Sequence, residues 1–238
     1  MNAPLTHKFD AISLYDVYTV TLTVRDKLCG GVPKNPELLK GWIVATTKHD
    51  DETSTAQEKA AREAILEPTE EKSWNGFLGD KEHGLFIEAR QLKALFKECA
   101  TMLRVTVQKV GSKQIFQHGF EIKGPKHESR IYLGKKTADG YLEGPIHVQT
   151  AQGPRTAIKR VDYVQGVDIT FDIWVLTTDG NEKRHVGEDE LVAMTCFGQE
   201  NGLGADRSQG HGKFNVKEFK KVQSGKQWSS GKADKAEK

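Results

Sequence analysis

Gly198-Gln199-Glu200-Asn201-Gly202-Leu203-Gly204-Ala205-Asp206-Arg207-Ser208-Gln209-Gly210-His211-Gly212-Lys213-Phe214 is the stretch on which the reading of this chain turns, with glycines at 198, 202, 204, 210 and 212. Without a Cβ, such a run bends freely, lets a ligand approach the backbone, and can aim successive N–H groups at an anion. Two readings stand side by side: turns that merely satisfy backbone geometry, or a ligand loop on which Arg207, His211 and Lys213 converge. Upstream, Glu188 to Phe197 has helical spacing, with Leu191, Val192 and Thr195 or Cys196 inward and Gly198 as the C′ glycine. Downstream, Phe214, Val216 and Phe219 alternate with Lys213, Asn215 and Lys217 as a short strand with one slip. The segment reads helix, glycine loop, strand.

Two other strands are strongly marked. In Leu14 to Val24 the β-branched and aromatic residues fall into two alternating sets, and Val167 to Leu176 sets Val167, Ile169, Phe171, Ile173 and Val175 on one face. The first strand runs into Arg25-Asp26-Lys27-Leu28-Cys29-Gly30-Gly31-Val32-Pro33, where glycines and proline break regular structure. Arg25 and Lys27 there are either a solvated loop tip or phosphate contacts. Glu88 to Leu103 is a helix whose apolar face is Leu92, Leu95, Phe96, Cys99, Met102 and Leu103. Arg90, Lys93 and Lys97 share another of its faces, as a wet side or as a basic stripe.

The remainder is less regular. Residues 33–86 read as an insertion with short helices at Glu37 to Ala45 and Thr55 to Leu66, too poor in apolar residues to form a core alone. Strands are expected at Arg104 to Gln108, Ile115 to Lys123, Pro145 to Gln149 and Ala157 to Val164, the last two joined by a turn around Gly153-Pro154. Between them, Gly124 to Tyr141 mixes Lys126, His127, Arg130, Lys135 and Lys136 with Tyr132 and Tyr141, either an exposed hairpin or a place where aromatic rings stack bases. Gln223 to Lys238 reads as a flexible basic tail, leaving 1–222 as a single domain.

Composition bounds the function. The chain of 238 residues carries 29% charged and 37% hydrophobic residues and a net charge of +2, so a polyanion partner must be argued from local basic groups. Three scattered cysteines, Cys29, Cys99 and Cys196, argue for a reducing compartment, so a cytoplasmic protein is expected, and no apolar run long enough for a membrane span occurs. No histidine pair or Cys-x-x-Cys spacing points to a metal, and no cofactor is implied.

Without the insertion the order is βαββαβ, the plan of an α+β ferredoxin-like or RRM-like fold with an antiparallel sheet, two helices on one face, a helical insertion and hairpin extensions. With that order, Lys93-Ala94-Leu95-Phe96-Lys97-Glu98-Cys99-Ala100 followed much later by Asn201 to Phe214 resembles the RAMP superfamily of CRISPR-associated proteins. That family has a lysine-bearing first helix and a late Gly-rich loop entering the last strand. Lys93 and Lys97 match the helix cations, and Arg207, Gly210 and Gly212 the loop. Here Ala94 stands for the usual glycine, and Lys213 intervenes before Phe214.

The resemblance implies a backbone-type subunit of a ribonucleoprotein, with copies tiling along a guide-like RNA. Lys93, Lys97, Arg90, Arg207, Lys213, Arg25, Lys27 and His211 are then the nucleic-acid-binding side chains, and Gly202, Gly204, Gly210 and Gly212 offer backbone N–H groups. Two other classes stay open. One is a metal-independent ribonuclease, for which His211 and Asp26 are the catalytic candidates. The other is a self-assembling structural protein, of viral or mobile-element origin, without nucleic acid. Single-stranded DNA remains an alternative ligand to single-stranded RNA, and the partners otherwise expected are further copies or other subunits.

Overall fold

A computed structural model describes residues 14–34, 74–104, 116, 119–125, 128–150, 153–176 and 186–225. The expected helices at 37–45 and 55–66, most of the strand from Arg104, and nearly all of the C-terminal tail lie outside the described residues. Twelve strands and two helices are described. In chain order they are β1 (Tyr15–Val24), β2 (Lys27–Cys29), β3 (Val32–Pro33), β4 (Trp74–Gly76), β5 (Leu78–Asp80), β6 (Gly84–Glu88) and α1 (Ala89–Met102). There follow β7 (Phe120–Lys123), β8 (Arg130–Tyr132), β9 (Gly140–Thr150), β10 (Gly153–Gln165), β11 (Asp168–Leu176), α2 (Glu188–Asn201), one 3-10 turn (Arg207–Gln209) and β12 (Phe214–Gln223).

The period-two stretches pair with each other. The main sheet has the order β12-β1-β11-β7, all antiparallel, which is the strand order 4-1-3-2 of a ferredoxin-like βαββαβ unit. The register Val20↔Phe171 and Leu22↔Ile169 sets β-branched and aromatic residues opposite one another on the face that meets the helices. There Phe96 of α1 lies with its ring centroid 5.6 Å from Phe120 and 6.3 Å from Phe171, in one cluster with Leu92, Leu191 and Met194. The other face is a ladder of threonines closed by aspartates. Thr19 donates to Asp172 at 2.7 Å, Thr23 to Asp168 at 2.6 Å, and Thr21 and Thr170 share a bond of 3.0 Å. Lys217 Nζ also donates to Asp168, at 2.6 Å, and Lys123 Nζ sits 3.8 Å over the Trp174 ring, so this face carries cations as well as carboxylates.

Several expectations are corrected. Helix α2 does not end at Gly198 but runs to Asn201 and stops at Gly202, whose φ is +80°. A Cβ at Gly198 would lie 3.3 Å from the Phe214 ring and 3.6 Å from Cys99 Sγ, so this glycine serves close packing inside the helix. The inward residues of α2 are Leu191, Met194, Thr195 and Gly198, whereas Val192 and Cys196 are exposed. On α1, Met102 (66%) and Leu103 (39%) are exposed, so the buried stripe ends at Cys99 and Ala100.

Residues 74–88, read as the end of the insertion and the helix start, form three short strands instead. Trp74–Gly76 joins a five-stranded sheet with β2, β3, β9 and β10, and Leu78–Asp80 and Gly84–Glu88 join β8 in a three-stranded one. The basic segment before Tyr141 is therefore no lone hairpin: Arg130–Tyr132 pairs with β6, and Gly140 already begins β9. The expected β9–β10 hairpin forms with longer arms, from Tyr163↔Gly140 to Gly153↔Thr150.

Candidate nucleic-acid interface

The glycine loop closes back on the turn between β1 and β2. Ala205 N donates to Cys29 O (2.9 Å), Gly212 N to Lys27 O (2.7 Å), and Arg25 N to Lys213 O (2.9 Å), so the two segments are zipped along their backbones. Leu203 N also donates to Gly212 O at 2.9 Å, closing the loop on itself. Close approach is the reason for the glycines. A Cβ on Gly212 would fall 1.8 Å from Leu203 O, and one on Gly204 2.4 Å from Cys29 O.

This geometry corrects one expectation. The amides of Gly202, Gly210 and Gly212 donate to Gly198 O, Arg207 O and Lys27 O, so they are occupied by the protein's own carbonyls. What the loop offers a ligand is its side chains. Arg25 Nη1 reaches Glu200 Oε1 at 2.5 Å and its Nε reaches Asn215 Oδ1 at 2.7 Å, while Lys213 Nζ lies 2.9 Å from Glu200 Oε2. Two cations thus share one carboxylate. Hydrogen bonds from Lys213 and then Arg25 pull the Glu200 carboxyl down to about 2. Lys27 Nζ sits 5.2 Å over the ring of Tyr163 from β10. His211 is half-buried between Gly210 and Gly212, and exposed Asp26 accepts from Gln165 Nε2 at 3.2 Å.

The helix cations do not all meet this tip. Arg207 Nη1 bonds Glu98 Oε2 of α1 at 2.7 Å, which ties the loop to the helix and holds the Glu98 carboxyl below its ordinary value. Lys93 lies five residues before Glu98, about 140° around the helix, and interacts electrostatically with Glu121 of β7. Burial lowers the pKa of Lys93, and Glu121 partly offsets that. Arg90 Nε bonds Glu88 Oε2 at 2.8 Å, and Lys97 is exposed. Arg25, Lys27, His211 and Lys213 are therefore brought together with the loop, Arg207 flanks them, and Lys93 is on another side of α1.

The sequence reading missed Glu200, Glu98, Tyr163 and the pair Lys159–Asp206, which fastens the loop to β10. Only Glu200 had a local signal, standing two residues before a helix-ending glycine. The others are brought in by distant partners, Lys159–Asp206 at 47 residues apart in sequence, Glu98–Arg207 at 109, and Tyr163 with Lys27 farther still.

These carboxylates predict a pH response. Glu200, Glu98, Asp80, Asp139 and Asp168 all have folded pKa values below their ordinary ones, each through hydrogen bonds from cations, hydroxyls or backbone N–H groups. Depressed carboxyl values contribute stability that is present above the unfolded pKa near 4 and is lost as pH falls through the folded value. Melting temperature measured across a pH series is expected to hold above about pH 5 and to fall steadily toward pH 2. A flat profile down to pH 3 would contradict these ion pairs.

No family model and no curated protein sequence matches the chain. Among solved structures it is similar to a chain of the Type III-B Cmr-beta complex bound to cognate target RNA, determined by cryo-EM, at 17% identity and a TM-score of 0.45. The similarity covers 90% of this chain and 63% of that one, so this chain spans less than two thirds of that neighbour's length. At that identity and TM-score the likeness carries no weight for function.

Proposed function

We propose that the protein binds single-stranded RNA through its phosphates and acts as a backbone-type subunit of a CRISPR-like ribonucleoprotein, in several copies along a guide-like RNA. The observation that supports this is the tip where three chain segments meet. Arg25, Lys27 and Lys213, with His211, project from the backbone-zipped turn and loop, with Glu200 shared between Arg25 and Lys213 and exposed Asp26 between Arg25 and Lys27. A fixed group of cations with fewer carboxylates among them suits a phosphodiester chain. Arg207, paired with Glu98, joins the tip to α1, and Arg90, Lys93 and Lys97, which share another face of that helix, are read as outlying phosphate contacts.

In this reading the glycines set the loop's shape rather than contact the phosphates. Binding is a matter of charge, so its strength depends on salt. For three phosphates neutralised on a single strand, log K is expected to fall against log salt with a slope of about −2. A fluorescence-anisotropy titration of single-stranded RNA at several salt concentrations measures that slope. A slope near zero, or no binding at low salt, overturns the reading.

A further inference from the structure

A second group of aromatic and basic side chains lies on the five-stranded sheet and is absent from the tip just described. The pairing sets Arg160 beside both Trp74 and Glu143, and Asp162 beside Tyr141, so these residues share one face. The ring centroids of Trp74 and Tyr141 are 5.8 Å apart at 58°. The Arg160 guanidinium sits 5.5 Å from the centre of the Trp74 ring and 5.9 Å from that of Tyr141, and Lys34 Nζ is 4.3 Å over the indole.

The cluster is held in place from beneath. Asp162, only 8% exposed, accepts from Trp74 Nε1 at 2.7 Å and from Lys34 Nζ at 2.9 Å. Glu143 accepts from Arg160 Nε at 2.6 Å. The indole and guanidinium are thus fixed without a ligand, which removes much of the ordering cost of binding one. Tyr141 is nevertheless 52% exposed, and Ile158, two residues from Arg160 on the same face, is 46% exposed.

Charge decides what fits here. Lys34 and Arg160 are each matched by a carboxylate, Asp162 and Glu143, so this face lacks the excess of cations found at the tip. It offers the exposed, polarisable ring of Tyr141, inclined at 58° to the Trp74 indole, instead of a phosphate site. A flat, neutral heterocycle stacked on Tyr141 with the guanidinium beside it meets that description. We propose that the Trp74–Tyr141–Arg160 face stacks an unpaired nucleobase from a further stretch of the RNA whose phosphates the tip holds, since Lys159 and Tyr163, which meet the loop and Lys27, point to the opposite face of β10 from Arg160 and Asp162. This rests on the RNA-binding reading and divides the work: the tip supplies charge, and the sheet face supplies sequence-tolerant stacking.

The test compares a short oligoadenylate with the same backbone carrying abasic positions, against the parent protein, Tyr141→Ala and Tyr141→Phe. Tyr141→Ala is expected to weaken oligoadenylate binding about five- to a hundredfold and to bind the abasic strand as the parent does, with an unchanged salt slope. Tyr141→Phe keeps the ring and is expected to keep the affinity. Loss in both variants points to the hydroxyl instead of stacking and overturns the proposal. Unchanged oligoadenylate affinity in Tyr141→Ala overturns it as well, and a shift from oligomer to monomer in that variant would then assign the face to contacts between copies. A parent protein that binds both strands equally overturns the stacking site alone, whereas one that binds neither overturns the RNA reading with it.

Discussion

Gly212→Ala is expected to remove about 3–5 kcal/mol of folding stability, and Gly210→Ala, two residues away, only about 1–2 kcal/mol. Both glycines have left-handed backbone, with φ of +76° and +91°, so each substitution incurs the strain of a side chain there. They differ in what surrounds them. A Cβ at Gly210 meets nothing within 4 Å, whereas one at Gly212 would stand 1.8 Å from Leu203 O. Relieving that overlap moves Gly212 away from two partners, Lys27 O, to which it donates at 2.7 Å, and Leu203 N, from which it accepts at 2.9 Å. Each lost backbone bond adds about 1 kcal/mol. Against a total of about 5–15 kcal/mol for a domain, the larger loss is a substantial share. Urea unfolding of the two variants beside the parent measures the difference. Equal losses would mean that the loop is not closed on the β1–β2 turn.

Much of the scaffold was legible because its signals are local. β1 and β11 alternate with period two over nine or ten residues, and α1 repeats its apolar residues at helical spacing, so βαββαβ follows from their order. The short strands β4, β5, β6 and β8 have three to five residues each, too few for a period to register, and they come to order only by pairing with distant partners. Gly198 misled for a physical reason: a glycine that ends a helix and one that lets a helix approach Phe214 and Cys99 look alike in sequence. At the site, the right segments were legible but not their chemistry. Cations on a glycine-rich loop suggest open N–H groups. Of those N–H groups, Gly202 and Gly210 are bonded to carbonyls a few residues back, and Gly212 to Lys27 O of the distant β1–β2 turn, so their occupancy shows only in the folded loop.

The burial of the other reactive groups narrows the chemistry around the tip. Cys29 and Cys99 flank the loop, yet burial pushes each thiol up to about 11, so neither is a ready nucleophile at neutral pH. At this end of the molecule Arg25, Asp26 and Glu200 are exposed and Lys27, His211 and Lys213 half-buried, so three cations stand with two carboxylates and an imidazole. The strength of the contact proposed with RNA follows from the number of those cations that meet phosphates.

Replacing Arg25, Lys27 and Lys213 together by alanine is expected to weaken single-stranded RNA binding about a hundredfold at 0.1 M salt. Each phosphate neutralised on a single strand contributes about 0.7 to the exponent in salt, hence a factor of about five at 0.1 M, and three contacts multiply to about one hundred. The same arithmetic makes the parent and the variant converge as salt approaches 1 M, so the loss must shrink as salt rises. The three side chains lie at the surface and their ion pairs are solvated, so the melting temperature is expected to stay within about 3 °C of the parent. Glu200→Gln moves in the opposite direction. It removes the carboxylate shared by Arg25 and Lys213 and is expected to strengthen binding about fivefold at 0.1 M, the worth of one added phosphate contact. Anisotropy titrations of the parent and both variants at 0.1 and 0.5 M salt read all of this. A triple variant that binds like the parent at 0.1 M, or a Glu200→Gln protein that binds more weakly while keeping its melting temperature, would move the RNA away from this tip.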